Sequence, residues 1–195
     1  MTPAKPKKMK NLKTRRTSVY LALIFLCITL IGNSQDAKLT RQEKKAVKET
    51  QMAINYYVMD SVITSKGFVL EADLLRNQNG DNIVVTPSLN FIKVDKTAGI
   101  LQTGSNTAIG YNGVGGVTAE GSLGRWEVSR NPKKLSFTVQ FSLLTNIGNY
   151  DVLMTVTAAN QATATITGSG AGKLTWQGHL RALNNTRVFK GQNTY

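Results

Sequence analysis

The strongest constraint on this chain is a two-residue alternation. In Leu135-Ser-Phe-Thr-Val-Gln-Phe-Ser-Leu143 every odd position is apolar and every even position polar. On a pleated strand that pattern sends one set of side chains to a core and the other to water. Tyr150, Val152, Met154 and Val156 repeat it, as do Leu174, Trp176, Leu180 and Ala182 set against Thr175, Gln177, His179 and Arg181. Phe68, Leu70, Ala72 and Leu74 make an earlier strand. Turn formers separate these runs: Asn79-Gly80-Asp81, Asn146-Ile-Gly148-Asn149 and Asn160-Gln161 supply the residues that tight hairpins need. Further strands are expected at 82–85, 89–95, 99–103, 125–130 and 162–167. About nine short strands with regular turns predict an antiparallel β-sandwich or a barrel-like sheet.

A different period precedes them. Thr40-Arg-Gln-Glu43 has the spacing of a capping box, and Val47, Ile54, Tyr57, Ser61 and Val62 approximate a 3.6-residue stripe. The expectation is an amphipathic helix ending near Ser65, before Gly67, that lays this stripe on the body of the domain. The fold class is therefore mainly β, with one N-terminal helix. The organisation expected is 1–34 as a cleaved secretory signal, 35–66 as the helical segment, 67–183 as the β domain and 184–195 as a C-terminal tail.

The signal reading comes from charge and length. Seven of the 24 cations lie at or before Arg16, and the first acid is Asp36. Val19–Ile31 then runs thirteen residues without a charge, short of the ~20 that a membrane-spanning helix takes. A basic stretch, a short apolar core, and then Gly32 and Ser34 predict export with cleavage after Ser34, to the periplasm or envelope. Cys27 follows Leu26 inside the apolar run, which disfavours lipid attachment; Met9 is an alternative start. The remainder carries 17 cations against 11 acids, a net +6 rather than the full-chain +13. That weakens a nucleic-acid reading, and no span is expected after cleavage. With one Cys in the whole chain, an intrachain disulfide is impossible.

Candidate chemistry is sparse. Seven glycines fall between Gly104 and Gly124, a stretch that reads as a loop, and Gly113-Val-Gly-Gly116 invites an anion cradle. It lacks the spacing of either nucleotide-binding motif. His179 is the only histidine, which excludes a His-rich zinc site. Glu71 and Asp73 share a strand face; with Glu120 and Glu127 they are the acids a glycan hydrolase would draw on. Asn77, Asn79 and Asp81 place oxygens at alternate positions but lack a calcium-loop frame. Trp126 and Trp176 stand in apolar phase, which favours burial over sugar stacking. No cofactor or metal is expected.

Gly67-Phe-Val-Leu-Glu-Ala-Asp73, Asn90-Phe-Ile-Lys-Val-Asp95, Tyr111-Asn-Gly-Val-Gly-Gly116 and Tyr150-Asp-Val-Leu-Met-Thr-Val156 resemble a secreted bacterial family, the domain of unknown function 4251, seen mainly in Bacteroidetes. The resemblance spans roughly residues 40–183 and implies an envelope or periplasmic location without an activity, cofactor or catalytic residue. Val114 interrupts a glycine run that is richer in that family. The functional expectation is a non-enzymatic β domain that binds a small molecule, a glycan or an envelope protein. Candidate ligand contacts are Glu71, Asp73, Tyr111, Gly113, Gly115 and Gly116. The alternatives are a glycan hydrolase and a purely structural envelope protein.

Overall fold

The computed structural model describes residues 40–105, 110–168 and 172–195. The chain divides into two compact units, Met1–Lys44 and Lys45–Tyr195. Helix α1 covers Arg41–Thr64. Nine strands follow: β1 Gly67–Arg76, β2 Asn82–Val84, β3 Phe91–Asp95, β4 Ala98–Gln102, β5 Thr118–Asn131, β6 Ser136–Thr145, β7 Gly148–Thr157, β8 Ala162–Gly168 and β9 Lys173–Ala182. A 3₁₀ turn, Leu183–Asn185, opens the C-terminal segment.

From β3 to β9 each strand pairs antiparallel with the next, and β9 returns to β1 from Phe68↔Ala182 to Arg76↔Thr175. Of the two architectures that the alternation allows, the chain takes the closed one: an eight-stranded antiparallel barrel with β2 outside the ring. Closure gives every ring strand two neighbours, although β5 pairs with β4 only as far as Ser122 and continues to Asn131 with β6 alone. β2 lies against the far end of β1, on the edge that β3 leaves at Glu71.

Two bulges set which side chains face inward. The β1–β9 register slips between Ala72 and Leu74, so Leu75, rather than Leu74, packs on the core. In β5 the slip falls between Leu123 and Trp126, shifting the inward set from Ala119 and Leu123 to Trp126 and Val128. One extra residue in a strand inverts its alternation, which a strict two-residue reading cannot anticipate. The stretch 104–124 is likewise only partly loop, because Thr118–Gly124 forms the first half of β5.

The interior is continuous. Phe68, Leu70, Phe137, Phe141, Met154 and Leu180 are among its fully buried side chains. α1 opens with the expected capping box: the Thr40 N–H donates to Glu43 Oε2 (2.7 Å) and the Glu43 N–H to Thr40 Oγ1 (3.3 Å). The face that packs is formed by Met52, Tyr56, Met59 and Ile63, with Val62 beside it. Val47, Ile54 and Tyr57 are exposed, so most of the expected stripe faces away from the core. The helix carries apolar residues around much of its circumference, and burial selected the set one position round. Tyr56 stacks on Phe137 with ring centroids 4.5 Å apart. Arg130 Nε meets Asp60 Oδ1 at 2.8 Å, fixing α1 over the barrel end where β5 finishes and β6 starts.

A second, smaller apolar cluster lies on the outer wall. Val69, Phe91 and Ile100 are buried there beneath Leu183 and Val188. The C-terminal segment thus covers the outside of β1, β3 and β4.

Candidate functional site: the open mouth of the barrel

α1 covers one end of the barrel; the other end is open. There, the end of β4 and the starts of β5, β7 and β9 surround a cavity of about 730 Å³, within the ~300–1,000 Å³ usual for small-molecule sites. Leu101, Ala119, Ile147, Ile166, Leu174 and Trp176 supply an apolar wall. Asn77, Gln78, Asn79, Thr103 and Lys173 add polar groups around it. Trp176 is 2% exposed, and its indole N–H is one of the buried donors without an acceptor among the described residues. Lys173 is the one charged residue at its rim among the described residues; it is exposed, on the strand face opposite to Leu174 and Trp176.

The carboxylates singled out from sequence lie elsewhere. Glu71 accepts a 2.6 Å hydrogen bond from Thr186 Oγ1 and stands 3.6 Å from Arg181 Nε. Asp73 Oδ2 is 3.5 Å from His179 Nε2, whose ring Nδ1 is 2.8 Å from the Asn160 carbonyl oxygen. Pairing of Glu71 with His179 across β1–β9 puts these groups together on the outer wall. Glu120 holds Lys190 Nζ and, at 2.7 Å, Asn193 Nδ2. Those two hydrogen bonds, Lys190 first, keep its carboxyl below the usual carboxylate range against the opposing effect of burial. Glu127 pairs with Arg125 at 2.9 Å in the open. Thus Glu71 and Asp73 are brought near each other, whereas Glu120 and Glu127 join separate pairs.

The glycine loop is occupied by its own chain. Asn112, 1% exposed, accepts from the Val114 and Gly116 N–H groups (3.1 and 3.0 Å) through Oδ1. Those are amides that an anion cradle would use. Its Nδ2 donates to the Thr103 carbonyl and to Thr118 Oγ1, which donates in turn to Gln102 Oε1. Gln102 also takes the Gly191 N–H and donates to the Leu89 and Phe189 carbonyls. Gly113 and Gly115 have positive φ (74° and 78°), and a Cβ on Gly116 would fall 2.3 Å from the Thr103 oxygen. The glycines therefore serve a tight, internally bonded turn. Tyr111 projects from it, 86% exposed.

Asn77 is used similarly: its Oδ1 accepts from the Asn79 and Asp81 N–H groups at 2.9 Å, closing the β1–β2 turn. Trp126 is half-buried, with Lys66 Nζ 5.0 Å above its ring. Among the described residues no group of three or more His, Cys, Asp or Glu side chains is placed to hold a metal. No helix among them is long and apolar enough to cross a membrane.

Sequence reasoning missed Lys173, the cavity wall and the buried trio Asn90, Gln102 and Asn112. Gln102 follows Ile100-Leu101 in a strand, so a polar residue in that setting was the available signal.

A closed antiparallel barrel with one end under a helix and a chamber at the other defines the structural class. Within it, the chain belongs to the family described as domain of unknown function (DUF4251), whose model matches residues 50–180. It is similar to the crystal structure of a DUF4251 family protein from Bacteroides eggerthii DSM 20697. The two are 30% identical, with a TM-score of 0.59, over 70% of this chain and 93% of that one. Comparison with curated proteins yields no match.

Proposed function

We propose that this protein is a non-enzymatic envelope domain that takes a small, mainly apolar molecule into the open mouth of its barrel. The cavity carries the reading: about 730 Å³, walled by Leu101, Ile166, Leu174 and Trp176 and edged by the polar residues Asn77, Gln78 and Asn79. Small antiparallel barrels have interiors suited to one small ligand. The acids that a glycan hydrolase would need are engaged on the outer wall, by Thr186 and Arg181, His179, Lys190 and Asn193, and Arg125. The basic N-terminal stretch followed by Val19–Ile31 supports export to the envelope.

The test uses the purified protein and Nile red, a neutral apolar dye. Saturable one-to-one uptake with unchanged near-ultraviolet circular dichroism is expected. Val117→Trp, at the cavity wall, should weaken uptake about tenfold, equivalent to ~1.4 kcal/mol. Dye binding that ignores this substitution, or no saturable binding by the folded protein, overturns the reading.

A further inference from the structure

We propose a second binding site, on the outside of the barrel where the C-terminal segment meets the glycine turn, that takes a neutral saccharide at Tyr111 and Tyr195. Exposure comes first. Tyr111 is 86% and Tyr195 91% exposed, fractions at which the ring itself stands in solvent. A single exposed aromatic is ordinary, but these two come from distant segments and line one open hollow of about 570 Å³. Among the described residues that hollow shares none with the barrel mouth.

Rigidity comes second. Asn112, next to Tyr111, is buried, and its carbonyl accepts the Gln192 N–H at 2.9 Å. Gln102 Oε1 takes the Gly191 N–H at 2.8 Å and the Thr118 hydroxyl at 3.0 Å, while the Thr194 N–H donates to the Thr118 carbonyl at 3.0 Å. One buried network therefore ties the glycine turn to residues 191–194, and both tyrosines stand on or beside backbone that is already fixed. A hollow built before its guest arrives avoids the ordering cost of assembling it.

The lining selects the guest. Lys190, the one charged residue of the hollow among the described residues, is held by Glu120, so the pair leaves no free charge for an ionic guest. Gln192, Asn193 and Thr194 add amides and a hydroxyl, and the exposed Gln192 carboxamide pairs with no described residue. A purely apolar guest would strip water from these groups without replacing its hydrogen bonds. A pyranose ring meets both requirements: its C–H face rests against the negative face of an aromatic ring, and its hydroxyls donate to and accept from amides.

The experiment titrates the wild-type protein with three neutral trisaccharides, maltotriose, cellotriose and triacetylchitotriose, followed by saturation-transfer NMR and calorimetry. At least one is expected to bind with a dissociation constant below about 10 mM, with saturation strongest at its ring C–H protons. Tyr111→Ala and Tyr195→Ala should each weaken that binding about fivefold, the scale of one aromatic contact. Tyr111→Phe should keep the wild-type affinity, because the ring rather than the hydroxyl makes the contact. Both positions are exposed, and an unchanged thermal transition reports that the variants fold. Nile red, the probe of the barrel mouth, should not displace the saccharide. Binding that survives both alanine substitutions, or that Nile red displaces, overturns this site while leaving the mouth as a binding site. Failure of the folded wild type to bind any of the three overturns the saccharide inference and leaves the two tyrosines to a protein partner.

Discussion

Lys96 adopts φ 55° in the two-residue turn between β3 and β4. A left-handed backbone costs a residue with a Cβ about 1–2 kcal/mol. Its side chain lies in solvent, so Lys96→Gly removes the strain while only adding freedom to the unfolded chain. The expected result is a stabilisation of about 0.5–1 kcal/mol, read as a higher urea midpoint at unchanged slope. Gly178 gives the opposite sign. It faces Ala72 at the bulge where β9 closes onto β1, and a Cβ there would lie 1.9 Å from the Glu71 carbonyl oxygen. Gly178→Ala must push backbone apart at the seam, and a loss of at least about 2 kcal/mol is expected in the same measurement. Alternation placed Leu143, Val152 and Trp176 in the core from sequence alone, because it records which face a side chain takes. It put Trp126 in apolar phase too, and Trp126 packs against the core; it could not place Leu75, whose phase depends on a bulge that only the pairing partner reveals. For the same reason Glu71 and Asp73 were legible as neighbours, while their engagement by Thr186 and His179 depended on closure of the ring.

The C-terminal segment shows how an element without regular structure becomes part of the fold. Leu183 and Val188 cover Val69, Phe91 and Ile100, Phe189 N–H donates to the Ser88 carbonyl, and Thr194 N–H donates to that of Thr118. Glu120 adds a titratable lock through Lys190 and Asn193. Its carboxyl titrates below the ordinary value in the folded state. The stabilisation is therefore present above the unfolded value, about 4.3 for glutamate, and disappears as pH falls through the lowered folded value. Glu120→Gln removes the dependence, so the gap in urea midpoint between wild type and variant should be open at pH 7 and narrow as the solution is acidified below about pH 4. A gap that is constant with pH would separate the segment's docking from that carboxylate. Nothing in residues 184–195 taken alone announces this role: the segment has no period, and its contacts are with strands 70 to 115 residues earlier. The nine strands were legible because each is a local pattern, whereas the cavity is a property of the ring and lies in no single segment.

At the scale of the whole molecule, the barrel is closed covalently in sequence order and non-covalently at one seam, β1 against β9. The cavity wall draws on strands from both sides of that seam, including Leu101 of β4, Ile166 of β8 and Trp176 of β9. A molecule bound there contacts elements that share one hydrophobic core, so it stabilises the barrel as a unit rather than one hairpin. Linkage sets the size: ligand at a hundred times its dissociation constant adds about 2.7 kcal/mol to the folded state, provided the unfolded chain does not bind it. The expected outcome is a single thermal transition that moves upward with Nile red concentration, logarithmically once the site is filled. In Val117→Trp, whose added ring occupies the mouth, the same titration should leave the transition near its ligand-free position. A shift of equal size in both proteins would place the bound molecule outside the barrel mouth, and a transition that splits in two would show that the seam and the remaining strands melt separately.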